Sequence, residues 1–428
     1  MRIAIKTLGC KSNRYESDKV FDELRNTHDV FELNEGISTF TRIHSAKPDL
    51  LIVNTCTVTH VADRKSRQAI RSFKKMNPDC KVIAFGCGVN VSPEKYKEIE
   101  EVDFLAEDSK EVLKFTKELS NDFEKCEYEG NAFDKGFRTR ALVKIQDGCN
   151  SYCSYCIIPT ARGPEYSFSS KEILEEVLLK ETAGFKEIVL TGINIAEWKE
   201  GDMNLADLFE MLLNKTKTVR FRVSSIEPKN FSDKFYELFK HERFCPHMHM
   251  SLQSGCDSVL KRMRRKYMTD TFKDVCLKLR EIVPDMALTT DVIVGFPGET
   301  DKEFDETCKF IEEIGFLQIH VFPYSKREKT VAAYMKDHVA DEVKKERCKK
   351  LRDISNKLGL DFKKSLIGQE YEVIIESISD GIAKGFTKNY LPVQFNCSES
   401  IDMLNKKVKL KLEKLLDNAV VEGVLLQP

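Results

Sequence analysis

The chain has 428 residues, too many for one ordinary core, and its 41% hydrophobic and 32% charged content is that of a globular protein of two or three domains. No apolar run approaches the roughly 20 residues of a membrane span, and MRIAIKTLGC carries no signal-peptide core, so a cytoplasmic enzyme without membrane contact is expected. With 68 basic against 69 acidic residues, bulk charge neither demands nor excludes nucleic acid, and any RNA contact must come from local patches.

Taken in chain order, RIAIKTLG, DLLIVNTC and KVIAFGC are short β-rich runs separated by the helical patterns ESDKVFDELRN and ADRKSRQAIRSFKKM. This rhythm predicts a parallel α/β domain over residues 1–120, with strands that end at Cys10, Cys56 and Cys87, where open α/β sheets place their ligands. Residues 121–138 are charged, lack an apolar period and read as a linker.

From 139 the βα rhythm restarts for six units, with strand candidates RALVKIQ, EIVLTGIN, VRFRVSS, HMHMSLQ, ALTTDVIVGF and LQIHVFPYS. Six right-handed βα units predict a partial, laterally open (β/α) barrel. Leu351, Ile354, Leu358, Phe362 and Leu366 then fall at helical spacing beneath a Lys/Arg-rich face, closing this domain at 367. Residues 368–428 read as β hairpins, a small all-β barrel. The fold class is thus α/β multidomain with an all-β C-terminal barrel.

Fourteen cysteines without an export signal point to reduced thiols and to metal or redox chemistry before disulfides. DGCNSYCSYCIIPTARG places Cys149, Cys153 and Cys156 in one C-x3-C-x2-C run after the first barrel strand. Structural zinc normally takes four protein ligands, and no histidine lies between His60 and His241. Three thiolates suit a 4Fe-4S cluster with one open iron; three buried or zinc-bound thiols are the plainer alternative.

This motif resembles that of radical S-adenosylmethionine enzymes. There the methionine part of the cofactor chelates the open iron, and electron transfer from the cluster yields a 5′-deoxyadenosyl radical. KIQDGCNSYCSYCIIPTARG, VLTGINI, SSIEP, SLQSGCDSVLKRMRRKY, TTDVIVGFPGET and FPYSKR, over about residues 143–327, narrow the resemblance to the methylthiotransferases.

Cys10, Cys56 and Cys87 are each, taken alone, readable as small buried hydrophobes. At equivalent strand ends they can converge and supply three more thiolates. The resemblance implies an auxiliary 4Fe-4S cluster on them, where bound sulfur is methylated by one S-adenosylmethionine before a second is cleaved to the radical. The other eight cysteines, Cys80, Cys126, Cys245, Cys256, Cys276, Cys308, Cys348 and Cys397, share no spacing and read as packing thiols.

Gly192 and Asn194 close the second strand, where a glycine lets backbone approach a ligand, and the corresponding strand of the resembled family contacts the cofactor. Glu227, Ser251, Gln253 and Asp291 are polar strand-end or strand residues suited either to the cofactor or to ordinary capping. His247 and His249 read as packed or hydrogen-bonded rather than metal-ligating. Arg262, Arg264 and Arg265 belong to KRMRRKY, five basic residues in seven, either a solvated face or a polyanion contact. Two positions depart from the family pattern: Tyr166 stands where an arginine is expected, and Lys329 where a glycine is usual.

The family divides by target: isopentenylated adenosine in tRNA, threonylcarbamoyladenosine in tRNA, or an aspartate of a small-subunit ribosomal protein. TLGCKSNRYES and GFTKNYLPVQF look most like the threonylcarbamoyladenosine branch, which inserts a methylthio group at C2 of that nucleoside beside the anticodon. The last domain resembles the TRAM-type RNA-binding module. With seven lysines, no arginine and nine acidic residues, it would need a local face of Lys384, Lys388 and Tyr390 to bind RNA. The expected partners are tRNA, a sulfur donor and a flavodoxin- or ferredoxin-type electron donor, with the protein a monomer. A non-catalytic iron-sulfur redox sensor that binds RNA is the alternative of different class.

Overall fold

The computed structural model describes residues 1–33, 47–120, 139–397 and 403–426. The expected linker over 121–138, and Cys126 within it, lie outside the described residues. The chain forms two compact units.

The first unit carries the N-terminal sheet, joined by Gly148–Glu165 and Ser325–Ala333. Strands β1 (Arg2–Thr7), β2 (Asp29–Glu32), β3 (Leu50–Thr55), β4 (Lys81–Gly86) and β5 (Phe104–Leu105) are all parallel, in the order β2-β1-β3-β4-β5. Every residue of β3 is buried, because helices cover both faces of a parallel sheet. Ala4, Leu51, Val53, Val82 and Ala84 meet Ile70 and Phe73 on one face; Ile3, Ile5, Ile52, Ile83 and Phe85 meet Val20, Leu24 and Val112 on the other. The chain changes winding direction between β1 and β3, and ligands of such sheets bind at the carboxyl ends of those strands.

The helix after β1 begins at Lys11, before the ESDKVF run that predicted it. Its first turn buries polar residues, Ser12 and Asn13, so no apolar period marks it in the sequence.

The second unit contains β6 (Arg140–Lys144), a short antiparallel pair β7 (Gln146–Asp147) and β8 (Tyr166–Ser167), β9 (Glu187–Thr191), a second short pair β10 (Lys199–Glu200) and β11 (Met203–Asn204), β12 (Arg220–Val223), β13 (Ser225–Ile226), β14 (His247–Gln253), β15 (Ala287–Val294) and β16 (Gln318–Pro323). The βα strands form a three-stranded parallel sheet, β12-β9-β6, and a four-stranded parallel sheet, β13-β14-β15-β16. Met248, Met250, Leu252, Leu288, Val292, Ile319 and Val321 pack with Phe272, Ile311 and Phe316 of the covering segments. The alternate residues of each strand therefore face the other way. The helix Asp341–Ser365 follows, burying Leu351 and partly covering Ile354, Leu358 and Phe362.

The last strands, β17 (Glu370–Ser379), β18 (Ile382–Thr387), β19 (Pro392–Asn396), β20 (Lys407–Leu415) and β21 (Val421–Leu425), close into a barrel in the order β17-β18-β19-β21-β20. Its attachment lies at the N-terminal ends of the parallel strands, where Ala287 and Leu317 join the barrel's apolar core and a polar network surrounds them. The Glu187 carboxylate, fully buried, receives Nε of Arg220 and Nε of Arg222, both at 2.7 Å. Arg220 also reaches Glu372 at 3.3 Å, Arg140 pairs with Glu376 at 2.9 Å, and Tyr371 and Asn389 bond to Asp285. Burial alone would raise the Glu187 pKa, but the two guanidiniums dominate and hold it far below the usual carboxylate range.

Candidate functional site

In the first unit, the three strand-end cysteines meet at the change of winding. Gly9 and Gly86, immediately before Cys10 and Cys87, have φ of +107° and +92°. A Cβ on Gly9 would stand 2.9 Å from Cys56 Cβ, and one on Gly86 would stand 2.3 Å from Asn54 Oδ1. Only glycine gives both the backbone conformation and the room, so the GC pairs in TLGC and AFGC are the local signal for the turns at the strand ends, which leave Cys10 exposed and Cys87 buried.

Asn13 links two of the three cysteines. Its amide donates to Asn54 Oδ1 and to the Thr55 carbonyl, both at 2.9 Å, while its Oδ1 lies 3.4 Å from Cys10 Sγ and 3.7 Å from Cys87 Sγ. Arg162, at the end of the short helix Ile158–Arg162 that follows the clustered cysteines, donates to the same Oδ1 at 2.7 Å and to Glu16 Oε1 at 2.7 Å. Arg162 lies in PTARG, where no local pattern in the sequence marks a partner for it. Burial pushes the Cys87 thiol up to about 12 and raises that of Cys56, and the Arg162 charge opposes both shifts. Buried thiolates here need positive charge beside them, and a coordinated metal provides it.

Cys149, Cys153 and Cys156 share one half-buried loop in the same unit. The Ser151 N–H points at Cys149 Sγ at 3.4 Å, Cys156 N–H bonds to the Cys153 carbonyl at 3.0 Å, and Tyr152 holds φ of +46° between them. Ser325–Ala333 ties this loop to the N-terminal elements: Ala332 N–H donates to the Ser154 carbonyl at 2.7 Å, Arg327 donates to Thr57 Oγ1, and Lys329 Nζ donates to the Val91 carbonyl at 2.9 Å. Lys329 has φ of +71°, which accounts for the glycine expected there.

Neither cysteine triad brings its three sulfurs within 4.8 Å of one another among the described residues. Sulfurs around one zinc, at about 2.3 Å from the metal, stand roughly 3.8 Å apart. A four-iron cluster spaces its ligand sulfurs more widely, because each binds a different iron. Each set offers three thiolates, the donors such a cluster would take, spaced too widely for one zinc ion.

The polar residues expected at a cofactor lie in the second unit. Gly192 is filled from behind, since a Cβ there would meet the Gln146 carbonyl at 2.6 Å. Its lack of a side chain serves strand packing. Gln146 Oε1 accepts the N–H groups of Ile193 at 3.1 Å and Asn194 at 2.7 Å, leaving the buried Asn194 Nδ2 without a hydrogen-bond partner, as is Ser224 Oγ. Such orphaned groups fit a polar ligand. Glu227 is bound by Arg265 at 2.9 Å, and Arg265 donates to Tyr267 Oη at 2.7 Å, which in turn donates to the Ser251 carbonyl. The Ser251 hydroxyl bonds that of Ser225 at 2.9 Å. Gln253 ends β14 with φ of +70°. Asp291 faces His249 at 3.3 Å.

Among the residues read as RNA contacts, Arg262 is held bidentately by Glu303 at 2.9 Å and Arg265 is the Glu227 partner; Arg264 is exposed. Lys384 is exposed on β18. Lys388 Nζ bonds to the Glu242 carbonyl at 2.9 Å, and the Tyr390 ring packs on Phe386, His247, Arg140 and Arg222 with separations of 4.7 to 5.1 Å. Tyr166 is exposed and meets Phe168 edge to face at 5.2 Å.

Residues 143–311 match the model of the Radical SAM superfamily, and residues 2–107 that of Uncharacterized protein family UPF0004. A threonylcarbamoyladenosine tRNA methylthiotransferase MtaB of Bacillus subtilis is 38% identical, covering 96% of this chain and 94% of the relative. The chain belongs to the radical S-adenosylmethionine methylthiotransferase family.

A second relative in the family, the MtaB of Chlamydia pneumoniae, is 32% identical over 98% of this chain and 97% of its own length. A tRNA-2-methylthio-N(6)-dimethylallyladenosine synthase of Endomicrobium trichonymphae is 33% identical over 91% and 92%. The radical S-adenosylmethionine methyltransferase TsrM of Kitasatospora setae shares the fold, with a TM-score of 0.57 at 12% identity, covering 90% of this methylthiotransferase and 80% of TsrM. The cofactors of the methylthiotransferase are S-adenosylmethionine and 4Fe-4S clusters.

Proposed function

We propose that this methylthiotransferase modifies tRNA, inserting a methylthio group at C2 of N6-threonylcarbamoyladenosine beside the anticodon. The observation that carries the two-cluster reading is that Cys10 and Cys87 both approach Asn13 Oδ1, with Cys56 packed beside Gly9, at the carboxyl ends of the parallel strands and separate in sequence from the Cys149–Cys156 loop. The substrate reading rests on near-full-length similarity to relatives named for that nucleoside.

In this reading Cys149, Cys153 and Cys156 hold the cluster that binds S-adenosylmethionine, and Cys10, Cys56 and Cys87 hold the auxiliary cluster. When bound, these groups supply radical formation and sulfur methylation. The chain's own residues position and insulate them. Asn13 and Arg162 set the polar environment of the auxiliary triad, and Asn194, Glu227, Ser251 and Gln253 offer polar groups to the cofactor, whereas Asp291, also expected there, is turned to His249. The Gln146 side chain fixes the turn that presents Asn194.

The two parallel sheets of the second unit are read as one six-unit partial barrel. The domains are then 1–120, 139–367 and a TRAM-like RNA-binding barrel at 368–428, with 121–138 between them. Arg264 and Lys384 offer exposed basic contacts to tRNA; Tyr390 and Lys388 contribute mainly by docking the small barrel. The protein works as a cytoplasmic monomer with a flavodoxin- or ferredoxin-type reductant and a separate sulfur donor. No helix among the described residues is long and apolar enough to cross a membrane.

The test is mass spectrometry of nucleosides from total tRNA of cells with and without the gene. A gene-dependent methylthio derivative of threonylcarbamoyladenosine supports the reading. The 33% identity to a dimethylallyladenosine synthase makes the isopentenylated nucleoside the second reading, and its methylthio derivative has a different mass. Unchanged tRNA alongside persistent cofactor cleavage would redirect the search to the ribosomal-protein aspartate.

A further inference from the structure

Outside both cysteine triads, three ligand atoms converge in the four-stranded sheet of the second unit. His249 on β14, Asp291 on β15 and His320 on β16 each offer one atom, and these atoms lie within 4.8 Å of one another. Strand register explains why. His249 pairs with Thr289, and Asp291 pairs with His320 in the next strand. The three side chains thus share the sheet face opposite the apolar one formed by Met250, Leu288 and Val292. His249 and Asp291 are half-buried and His320 is exposed, which leaves an entry path from solvent.

The surroundings have the form of a built metal site. His249 Nε2 faces Asp291 Oδ2 at 3.3 Å, while its other nitrogen, Nδ1, lies 2.9 Å from the Thr289 hydroxyl. That hydroxyl is in turn 3.2 Å from His247 Nε2. If the Thr289 hydrogen goes to His247, His249 donates from Nδ1 and its Nε2 carries a lone pair aimed at a carboxylate. A divalent ion would bridge lone pairs so placed, and a second imidazole, His320, offers its ligand atom within 4.8 Å of both. A metal-bound histidine characteristically donates its other N–H to an oxygen in this way. Two imidazoles and one carboxylate suit a borderline divalent ion, with the remaining positions left to water.

We propose that His249, Asp291 and His320 bind a divalent transition-metal ion, distinct from both iron-sulfur clusters, with Thr289 orienting His249. The proposal is independent of which nucleoside the enzyme modifies.

The experiment uses full-length protein reconstituted with its clusters, with iron and sulfide quantified so that thiols are equally occupied in every variant. Zinc is titrated in competition with a chromophoric chelator. One zinc per chain is expected in the native protein, with loss of that zinc in His320→Ala. Because His320 is exposed, this change should leave the fold intact. Thr289→Val, which keeps all three ligands, should weaken binding by about 10- to 100-fold. Zinc binding absent from the native protein would overturn the proposal and point to a proton, carried on His249 Nε2 and donated to Asp291. Binding undiminished in both His320→Ala and Thr289→Val would overturn it as well, by assigning the zinc to thiols.

Discussion

Arg162 Nη2 lies 2.7 Å from Asn13 Oδ1, and that single oxygen also stands within 3.7 Å of the sulfurs of Cys10 and Cys87. A residue of the clustered-cysteine segment thus completes the pocket of the strand-end cysteines. The consequence is measurable in a variant with Cys149, Cys153 and Cys156 all changed to alanine, which isolates the second set. That variant should still take up about four irons per chain. Adding Arg162→Met removes the charge that opposes the raised thiol pKa values of Cys56 and Cys87, so iron uptake should fall by more than half. Equal iron in the two proteins would show that Arg162 has no part in holding the cluster.

The two triads should separate by function. Cys153→Ala is expected to abolish conversion of S-adenosylmethionine to 5′-deoxyadenosine. Cys56→Ala should retain part of that cleavage while losing methylthio insertion. Liquid chromatography of the cofactor products, run beside mass spectrometry of the nucleoside, reads both. Identical phenotypes for the two variants would refute the division of labour.

Glu187 makes a stability prediction. Its carboxylate is shared by the buried guanidiniums of Arg220 and Arg222, and Glu187→Gln removes the counter-charge of Arg222 while leaving Arg220 only its 3.3 Å pair with Glu372. Breaking such a pair from one side costs about 3–5 kcal/mol, to be read from urea unfolding at neutral pH. The native carboxyl titrates far below its unfolded value. Its stabilisation is therefore fully present above about pH 4.5 and is lost only as pH falls toward the lowered folded pKa. The glutamine variant should lack that acid dependence, and a native-like midpoint would contradict the account.

At Lys329 two effects oppose one another. A left-handed backbone costs a residue with Cβ about 1–2 kcal/mol, and the bond from Nζ to the Val91 carbonyl returns about 0.5–1.5 kcal/mol. Lys329→Gly loses the bond but relieves the strain and should melt near the native temperature. Lys329→Ala loses the bond and keeps the strain, so its melting point should be the lower of the two. The reverse order would mean that the turn is not strained.

The small barrel offers a last test. Tyr390→Ala removes a ring packed against His247, Phe386, Arg140 and Arg222 and should lower the melting temperature. Lys384→Glu should weaken tRNA binding, more steeply at low salt, with little effect on melting. Gel-shift titration beside calorimetry distinguishes docking from RNA contact.

The sequence by itself determined the order of the longer elements, because apolar periods of two and 3.6 record which faces are buried; the short strands β2, β5, β7, β8, β10, β11 and β13 carry too few residues to show a period. It also determined the two cysteine sets. One is legible as a short-range spacing; the other is legible because each member follows a strand of the same parallel sheet. Only the tertiary structure decided what these residues meet. Arg265 stands in a basic run, yet its partner is Glu227, just past β13 and far away in sequence. Gly192 looks like a ligand-facing glycine, yet the Gln146 carbonyl occupies its open side. His249, Asp291 and His320 lie on three different strands, separated in sequence by whole βα units. Strand pairing alone brings such residues together, and register is set by packing across the sheet rather than by any local pattern.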